Sequence, residues 1–355
     1  MNYKKNLAKK INLKNFKIHE LSKTFIVAEI SANHGGNIKN IFKSIDFLKK
    51  IGADAIKIQS YEASTITLNS KTKNFFINDK SIWKGRYLFD LYKKAQTPFS
   101  WHRQIFEYAK KKKLICFSSP FDKSSIKRLE KLKWPNYKIA SPKKQAKNLI
   151  NYVAKKKKPI IISTGIADIK DIQEAIQTCL KAKNNKIILL NCISSYPTKL
   201  EEVNVKYINI LKKFSNIVGF SDHTTNSLAA VSSVCLGAKM VEKHFILDNK
   251  IKSPDNEFSM NKDKFEKYVK AIRNTEIILG KEKIDKKKIL KGRLKTITRS
   301  LFYIKDLKKG DVLNKDNVKS FRPGIGVKPN LLNVFIGKKL KQNVKKFSPL
   351  KKKHI

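Results

Sequence analysis

The feature that most constrains this chain is an alternation. Eight short runs rich in Ile, Val, Phe and Leu lie at residues 25–30, 55–59, 114–117, 137–140, 159–163, 187–191, 217–220 and 240–244. Between them lie segments of helical period, for example 41–50, 172–180 and 265–278. Short apolar runs bounded by turn residues read as strands buried on both faces, and apolar residues three and four apart read as amphipathic helices. Eight strand-then-helix units over roughly 250 residues is the arithmetic of a parallel (β/α)8 barrel. An open doubly wound sheet would carry a G-x-G-x-x-G turn behind its first strand, and none is present. The expected fold is therefore α/β: a TIM barrel over residues 22–280.

The remainder differs in character. Residues 281–295 (KEKIDKKKILKGRLK) read as a Lys-dense linker without a clear apolar stripe. Residues 296–350 carry strand-like pieces at 300–304 and 318–322 around a turn at 306–310, a compact second domain of a size that is marginal alone. Between the second and third strands, residues 61–99 are long for a barrel loop, and long loops on the carboxyl-end face tend to act as lids.

The charge balance narrows the function classes. Lys and Arg number 78 against 28 Asp and Glu, a net charge of +50. Only seven of the 78 are Arg, whereas readers of bases and phosphates favour its bidentate fork. The lysines are spread along the chain in pairs and triplets, with no basic arm and no aromatic–basic interleaving, so they read as solvated faces rather than a nucleic-acid surface. Cys116, Cys179, Cys192 and Cys235 form no C-x-x-C pair, which suggests a reducing compartment. The basic N-terminus lacks an apolar run behind it, and the apolar stretch 228–241 is too short to span a bilayer. A cytoplasmic protein with no membrane partner is expected.

In a barrel, chemistry gathers at the carboxyl ends of the strands. Those ends carry Glu29, Asn33 and His34; Lys57 and Gln59; Ser118 and Ser119; Lys138 and Ser141; Ser163 and Thr164; Asn191, Ser194 and Tyr196; Ser221, Asp222 and His223; and Glu242, Lys243 and His244. A Lys set inside an apolar strand is costly unless an anion neutralises it. Lys57 and Lys138 are both so placed and, with neighbouring hydroxyls, could cradle a phosphate and a carboxylate; alternatively each points outward or pairs with an acid. His223 and His244 end adjacent strands and could share one divalent cation, or could be hydrogen-bonded structural histidines. His34 in a turn and His102 beside Trp101 have weaker cases.

These residues sit in segments that resemble the sialic acid synthase family, phosphoenolpyruvate-dependent synthases of nine-carbon sugar acids. The matching segments run in family order: 28–36 (AEISANHGG), 52–59 (GADAIKIQ), 117–121 (FSSPF), 137–141 (YKIAS), 163–165 (STG), 195–198 (SYPT), 219–223 (GFSDH) and 241–245 (VEKHF). Around Arg299-Ser300-Leu301 and Arg322-Pro323-Gly324 the tail is similar to the antifreeze-like (SAF) domain that these enzymes append. Segments 61–70, 91–102 and 116–119 point to the branch acting on an open-chain 2,4-diacetamido-2,4,6-trideoxy-altrose, with N-acetylmannosamine and the legionaminic acid precursor as other candidate acceptors.

The resemblance implies catalytic roles for Glu29, Lys57, Lys138, His223 and His244. It implies a divalent cation (Mn2+, Mg2+ or Co2+) on His223 and His244, and phosphoenolpyruvate held by Lys57, Lys138, Ser119, Ser141 and Ser163. The N-acetylated amino sugar would meet Glu29, Ser194, Tyr196 and Asp255, and Arg299 would reach the site from the partner subunit of a domain-swapped homodimer. One residue departs from the pattern: where the family has a Glu two residues beyond the Ser of Lys138–Ser141, this chain has Lys143. A reversed charge there implies an enzyme that is weakened, altered in substrate, or inactive. Aldolases that make deoxy-ketoaldonate phosphates share the phosphoenolpyruvate chemistry but lack the small second domain.

Overall fold

The computed structural model describes residues 3–140, 147–280 and 283–355. The chain divides into two compact units, residues 1–280 and 281–355.

The first unit opens with an antiparallel hairpin, β1 (Lys10–Leu13) and β2 (Phe16–His19). Eight parallel strands follow: β3 (Phe25–Glu29), β4 (Ala55–Ser60), β5 (Ile115–Pro120), β6 (Tyr137–Ile139), β7 (Ile160–Ser163), β8 (Ile187–Cys192), β9 (Val218–Asp222) and β10 (Met240–His244). They pair in chain order, and β10 closes on β3 with His244 opposite Glu29. The expected TIM barrel is therefore present. Its strands are buried almost throughout because helices cover their outer faces, the usual reason parallel strands read as continuous apolar runs.

Local sequence explains where the helices begin. Asn37, Asp122, Asp168 and Asn261 cap helices Ile38–Lys50, Lys123–Lys131, Ile169–Lys181 and Lys262–Leu279, each accepting a hydrogen bond from a first-turn backbone N–H. Gly280, with φ of 57°, ends the last of these in a backbone conformation that side chains resist. Arg273 on that helix anchors it to the strands' amino ends: its guanidinium lies 2.7 Å from Asp54 and donates to the Thr24 carbonyl.

The hairpin, which the sequence reading does not anticipate, plugs the amino end of the barrel. Ile11, Leu13 and Ile18 are buried, Phe16 packs edge-on against Phe25 at 4.8 Å, and Asn216 holds the Leu7 carbonyl at 2.8 Å. The opposite, carboxyl end stays open. The segment between β4 and helix Phe99–Lys111 contains two short helices, Ala63–Ile66 and Leu88–Ala95, and a small turn at 77–86. Among the described residues, no helix is long and apolar enough to cross a membrane.

The second unit has its own core of Leu301, Tyr303, Leu313, Val318, Leu340 and Leu350. Its antiparallel pair is β11 (Ser300–Tyr303) and β12 (Val318–Phe321), each ending one residue before the sequence reading placed it. Residues of the Lys-dense stretch form two single-turn helices, Lys286–Ile289 and Leu294–Ile297.

Candidate active site

Strand alternation decides which residues meet. Along β10, Glu242 and His244 turn into the barrel and Lys243 turns out, where it pairs with Asp222 at 3.6 Å, and Asp222 in turn accepts a hydrogen bond from the Tyr268 hydroxyl. Inside, Lys57 Nζ lies 2.5 Å from Glu29 and 2.8 Å from Glu242 Oε1, and Lys138 Nζ lies 2.6 Å from the same Glu242 oxygen. All four side chains are at most 5% exposed. Both lysines thus point inward, and both are paired with acid at rest. Burial and the neighbouring Lys138 charge pull the Lys57 ammonium below its ordinary range, against the opposing pull of Glu242. The two lysines hold the Glu242 carboxyl well below the carboxylate range despite its burial.

Hydroxyls flank this cluster. Ser119 is the last residue but one of β5 and Ser163 ends β7, one on either side of Lys138 on β6; both side chains are buried and have no hydrogen-bond partner among the described residues. Ser221 on β9 donates to Glu242 Oε1 at 3.2 Å. Buried hydroxyls without partners are uncommon, and here they mark places where a ligand's oxygens would be bonded. Ser141 and Lys143 lie outside the described residues.

His223 and His244 face each other with ring centroids 5.5 Å apart. His223 Nδ1 donates to the Ile193 carbonyl at 2.7 Å, which fixes the tautomer that leaves Nε2 with a free lone pair. Burial holds the ring neutral, lowering its pKa to about 3, and burial together with His223 lowers His244 well below the ordinary value. His244 Nδ1 is buried, 3.9 Å from Asp255, with no hydrogen-bond partner among the described residues. Neutral imidazoles with unspent lone pairs are the form that ligates a divalent metal. The donor set fits one, although among the described residues no third His, Cys, Asp or Glu completes a cluster.

Three of the remaining predicted residues, Ser194, Tyr196 and Asp255, line a cavity of about 600 Å³ above the cluster. Ser194, Tyr196, His244 and Asp255 form its barrel side. Tyr196 lies 4.2 Å from the His223 ring, and burial raises its hydroxyl well above the ordinary range. Asp255 accepts from the Ala32 backbone N–H, and burial raises its carboxyl against that bond and one from Ser31. Arg299 is exposed at the head of β11 in the second unit. His34 and His102 are structural: His34 Nδ1 accepts from Gly36, and His102 is 2.7 Å from the Ser60 hydroxyl with its other nitrogen on the Pro98 carbonyl.

Sequence reasoning noted Glu242 at a strand end without giving it a role; its place as the common partner of both lysines comes only from the barrel's closure. It also passed over Trp83 and Phe258, which wall the cavity beside Tyr196 at 5.8 and 4.9 Å. An isolated Trp within an insertion was the available signal for the first.

A family model described as the NeuB family matches residues 44–284, and one described as the SAF domain matches residues 298–355. The chain is 44% identical over 325 residues to the pseudaminic acid synthase of Campylobacter jejuni, covering 91% of this chain and 94% of that one. It is 41% identical over 328 residues to the pseudaminic acid synthase of Helicobacter pylori, covering 92% and 96%. Identity to the N,N'-diacetyllegionaminic acid synthase of Campylobacter jejuni is 31% over 328 residues, covering 92% and 98%. Among solved structures, the N-acetylneuraminic acid synthetase from Leptospira borgpetersenii in complex with citrate matches with a TM-score of 0.69 at 27% identity, covering 81% of this chain and 95% of that one.

Proposed function

The chain belongs to the NeuB family, and from that premise we propose that it is a pseudaminic acid synthase. It joins phosphoenolpyruvate to 2,4-diacetamido-2,4,6-trideoxy-L-altrose and releases phosphate. What carries this choice of acceptor is the higher identity, along nine-tenths of the chain, to synthases of that name than to the legionaminic acid synthase.

The bonds balance as follows. Carbon 3 of phosphoenolpyruvate bonds to the aldehyde carbon, whose oxygen takes up a proton. Water adds at carbon 2 and loses a proton, and the resulting hydroxyl then becomes the carbon 2 carbonyl, giving up its proton as the bond from carbon 2 to the phosphate oxygen breaks with its electrons leaving on phosphate. Lys57, Lys138, Ser119, Ser163 and Ser141 hold the phosphate and carboxylate; the donors of Ser119 and Ser163 favour that arrangement because they need displace no bond among the described residues. Glu242 keeps both ammonium groups at fixed positions, so charge developing on the departing phosphate meets donors already oriented. Glu29, Asp255, Ser194 and Tyr196 orient the acceptor. A divalent cation (Mn2+, Mg2+ or Co2+), held by His223 and His244, supplies Lewis-acid polarisation of the aldehyde oxygen when bound. The proposal extends to a cytoplasmic, domain-swapped homodimer in which Arg299 completes the sugar site of the other protomer.

The test is phosphate release by the purified chain with Mn2+, phosphoenolpyruvate and each of three acceptors: the diacetamido altrose, the legionaminic acid precursor and N-acetylmannosamine. Release fastest with the first supports the reading. Release from none of them above a metal-free control would sink it, unless Lys143→Glu restores turnover, in which case the loss belongs to Lys143.

A further inference from the structure

The outer wall of the cavity is built by the insertion between β4 and helix Phe99–Lys111, and its chemistry differs from that of the barrel side. Ile77, Leu88 and Leu91 present an apolar surface to the cavity, Leu91 fully buried and the other two half-buried. Beside them Ser81 places a hydroxyl oxygen that is shielded from solvent. Its neighbour Asp79, which lines the cavity together with Lys80, accepts the Ser81 backbone N–H at 2.8 Å, and the Ser81 hydroxyl bonded to its carboxyl holds that group below its ordinary value. The wall is held in place, because the Trp83 indole N–H donates to the Pro254 carbonyl at 2.9 Å, next to Asp255. An apolar surface beside a hydroxyl oxygen matches a small amide that ends in a methyl group. The hydroxyl, donating to Asp79, keeps lone pairs that can accept from the amide N–H, and the methyl can pack on the aliphatic side chains.

We infer that Ile77, Ser81, Leu88 and Leu91 form a pocket for an acetamido group remote from the aldehyde, so that this insertion selects acceptors carrying a second acetamido group. The inference rests on the synthase reading above: with the aldehyde at His244 and Asp255, the rest of the acceptor extends across the cavity toward the insertion. A hydroxyl in place of that acetamido group would leave the methyl surface uncovered and the pocket partly hydrated.

The experiment compares kcat/KM for two acceptors, the diacetamido altrose and the same sugar with a hydroxyl in place of the carbon-4 acetamido group. The enzymes compared are the wild type, Ser81→Ala and Ile77→Asn. Wild type is expected to favour the diacetamido sugar by about 100-fold, the scale of discrimination a well-matched pocket gives. Each variant is expected to lower that preference about tenfold, with the KM for phosphoenolpyruvate unchanged within about twofold, a readout that a general loss of structure would move. A wild type active on the diacetamido sugar but without preference, or variants that keep the preference, would overturn the inference and leave the synthase reading standing. Absence of phosphate release with the diacetamido sugar from both the wild type and Lys143→Glu overturns both.

Discussion

Glu242→Gln tests the centre of the site. The change keeps the side chain's shape and removes its charge, leaving Lys138 without an acid and Lys57 with Glu29 alone. At the observed 2.6 and 2.8 Å separations, Coulomb's law with an effective dielectric near 20 gives about 6 kcal/mol for each contact. The cost of desolvating the ions offsets much of this, and removing one partner of a buried ion pair typically costs about 3–5 kcal/mol. At roughly 2–4 °C per kcal/mol for a large domain, the melting temperature is expected to fall by about 10 °C. A second effect has the opposite sign. With one negative charge removed, the cluster attracts anions more strongly, so inorganic phosphate is expected to bind at least about tenfold more tightly and to recover part of the lost stability by mass action. The assay is thermal unfolding of wild type and variant across a phosphate titration. If Glu242→Gln melts within about 2 °C of wild type, the lysines do not depend on Glu242. If phosphate raises both melting temperatures equally, the anion does not sit on these lysines.

Four further outcomes are expected. Burial lowers the His102 pKa to about 4, so the unfolded chain binds a proton that the folded chain refuses between pH 6.5 and 4, and stability falls as pH falls through that window. Urea unfolding at pH 7 and pH 4.5 is expected to show wild type losing about 2.5 kcal/mol more than His102→Gln. A Cβ on Gly219 would lie 2.4 Å from the Met240 carbonyl oxygen and 2.9 Å from its Cβ, so Gly219→Ala is expected to cost about 3 kcal/mol or more, read as a lower urea midpoint. Chelation with EDTA is expected to abolish phosphate release and added Mn2+ to restore it, with His244→Ala unresponsive to Mn2+; full activity after chelation would refute the metal assignment. Trp83→Phe keeps an aromatic ring but loses the bond to the Pro254 carbonyl. It is expected to raise the acceptor KM about fivefold, the scale of one hydrogen bond, without changing that of phosphoenolpyruvate.

How far the sequence was legible depended on how close each segment lies to the chemistry. β10 spans the expected residues because its core-facing and outward positions alike are buried. β5 and β9 run to Pro120 and Asp222, beyond the expected ends at 117 and 220. Their last turns of the ladder are Ser118-Ser119-Pro120 and Ser221-Asp222, polar residues that break the apolar run because they face the site or bond across strands, as Ser118 does to the Ile58 carbonyl. Hydrophobic pattern finds a strand's body and loses it where function begins. The amino-terminal hairpin was hidden for a different reason. Its strands are four residues each, and in β1 charged or polar residues alternate with the two that plug the barrel, Ile11 and Leu13. Asp255 could be found only through the family resemblance, since it lies in a loop beyond the last strand with no periodicity to mark it.

The same physics separates the lysines. Of the lysines among the described residues, Lys57, Lys138 and Lys243 are the buried ones, and each has an acid within 4 Å: Glu29 and Glu242 for the first, Glu242 for the second, Asp222 for the third. Burying an ammonium without such a partner costs several kcal/mol, so the drift toward Lys that gives the chain its +50 charge is confined to positions where water pays that cost. Total charge therefore says little about the site, whose interior cluster of Lys57 and Lys138 with Glu29 and Glu242 is balanced. A balanced cluster does not attract anions by net charge alone. An anionic substrate must gain from direct donors, and under the proposed function these are the hydroxyls of Ser119 and Ser163 beside Lys138, which have no partner among the described residues. Ser119→Ala and Ser163→Ala together are accordingly expected to raise the phosphoenolpyruvate KM more than tenfold, with the melting temperature unchanged, because each removes a donor that has no bond among the described residues to lose.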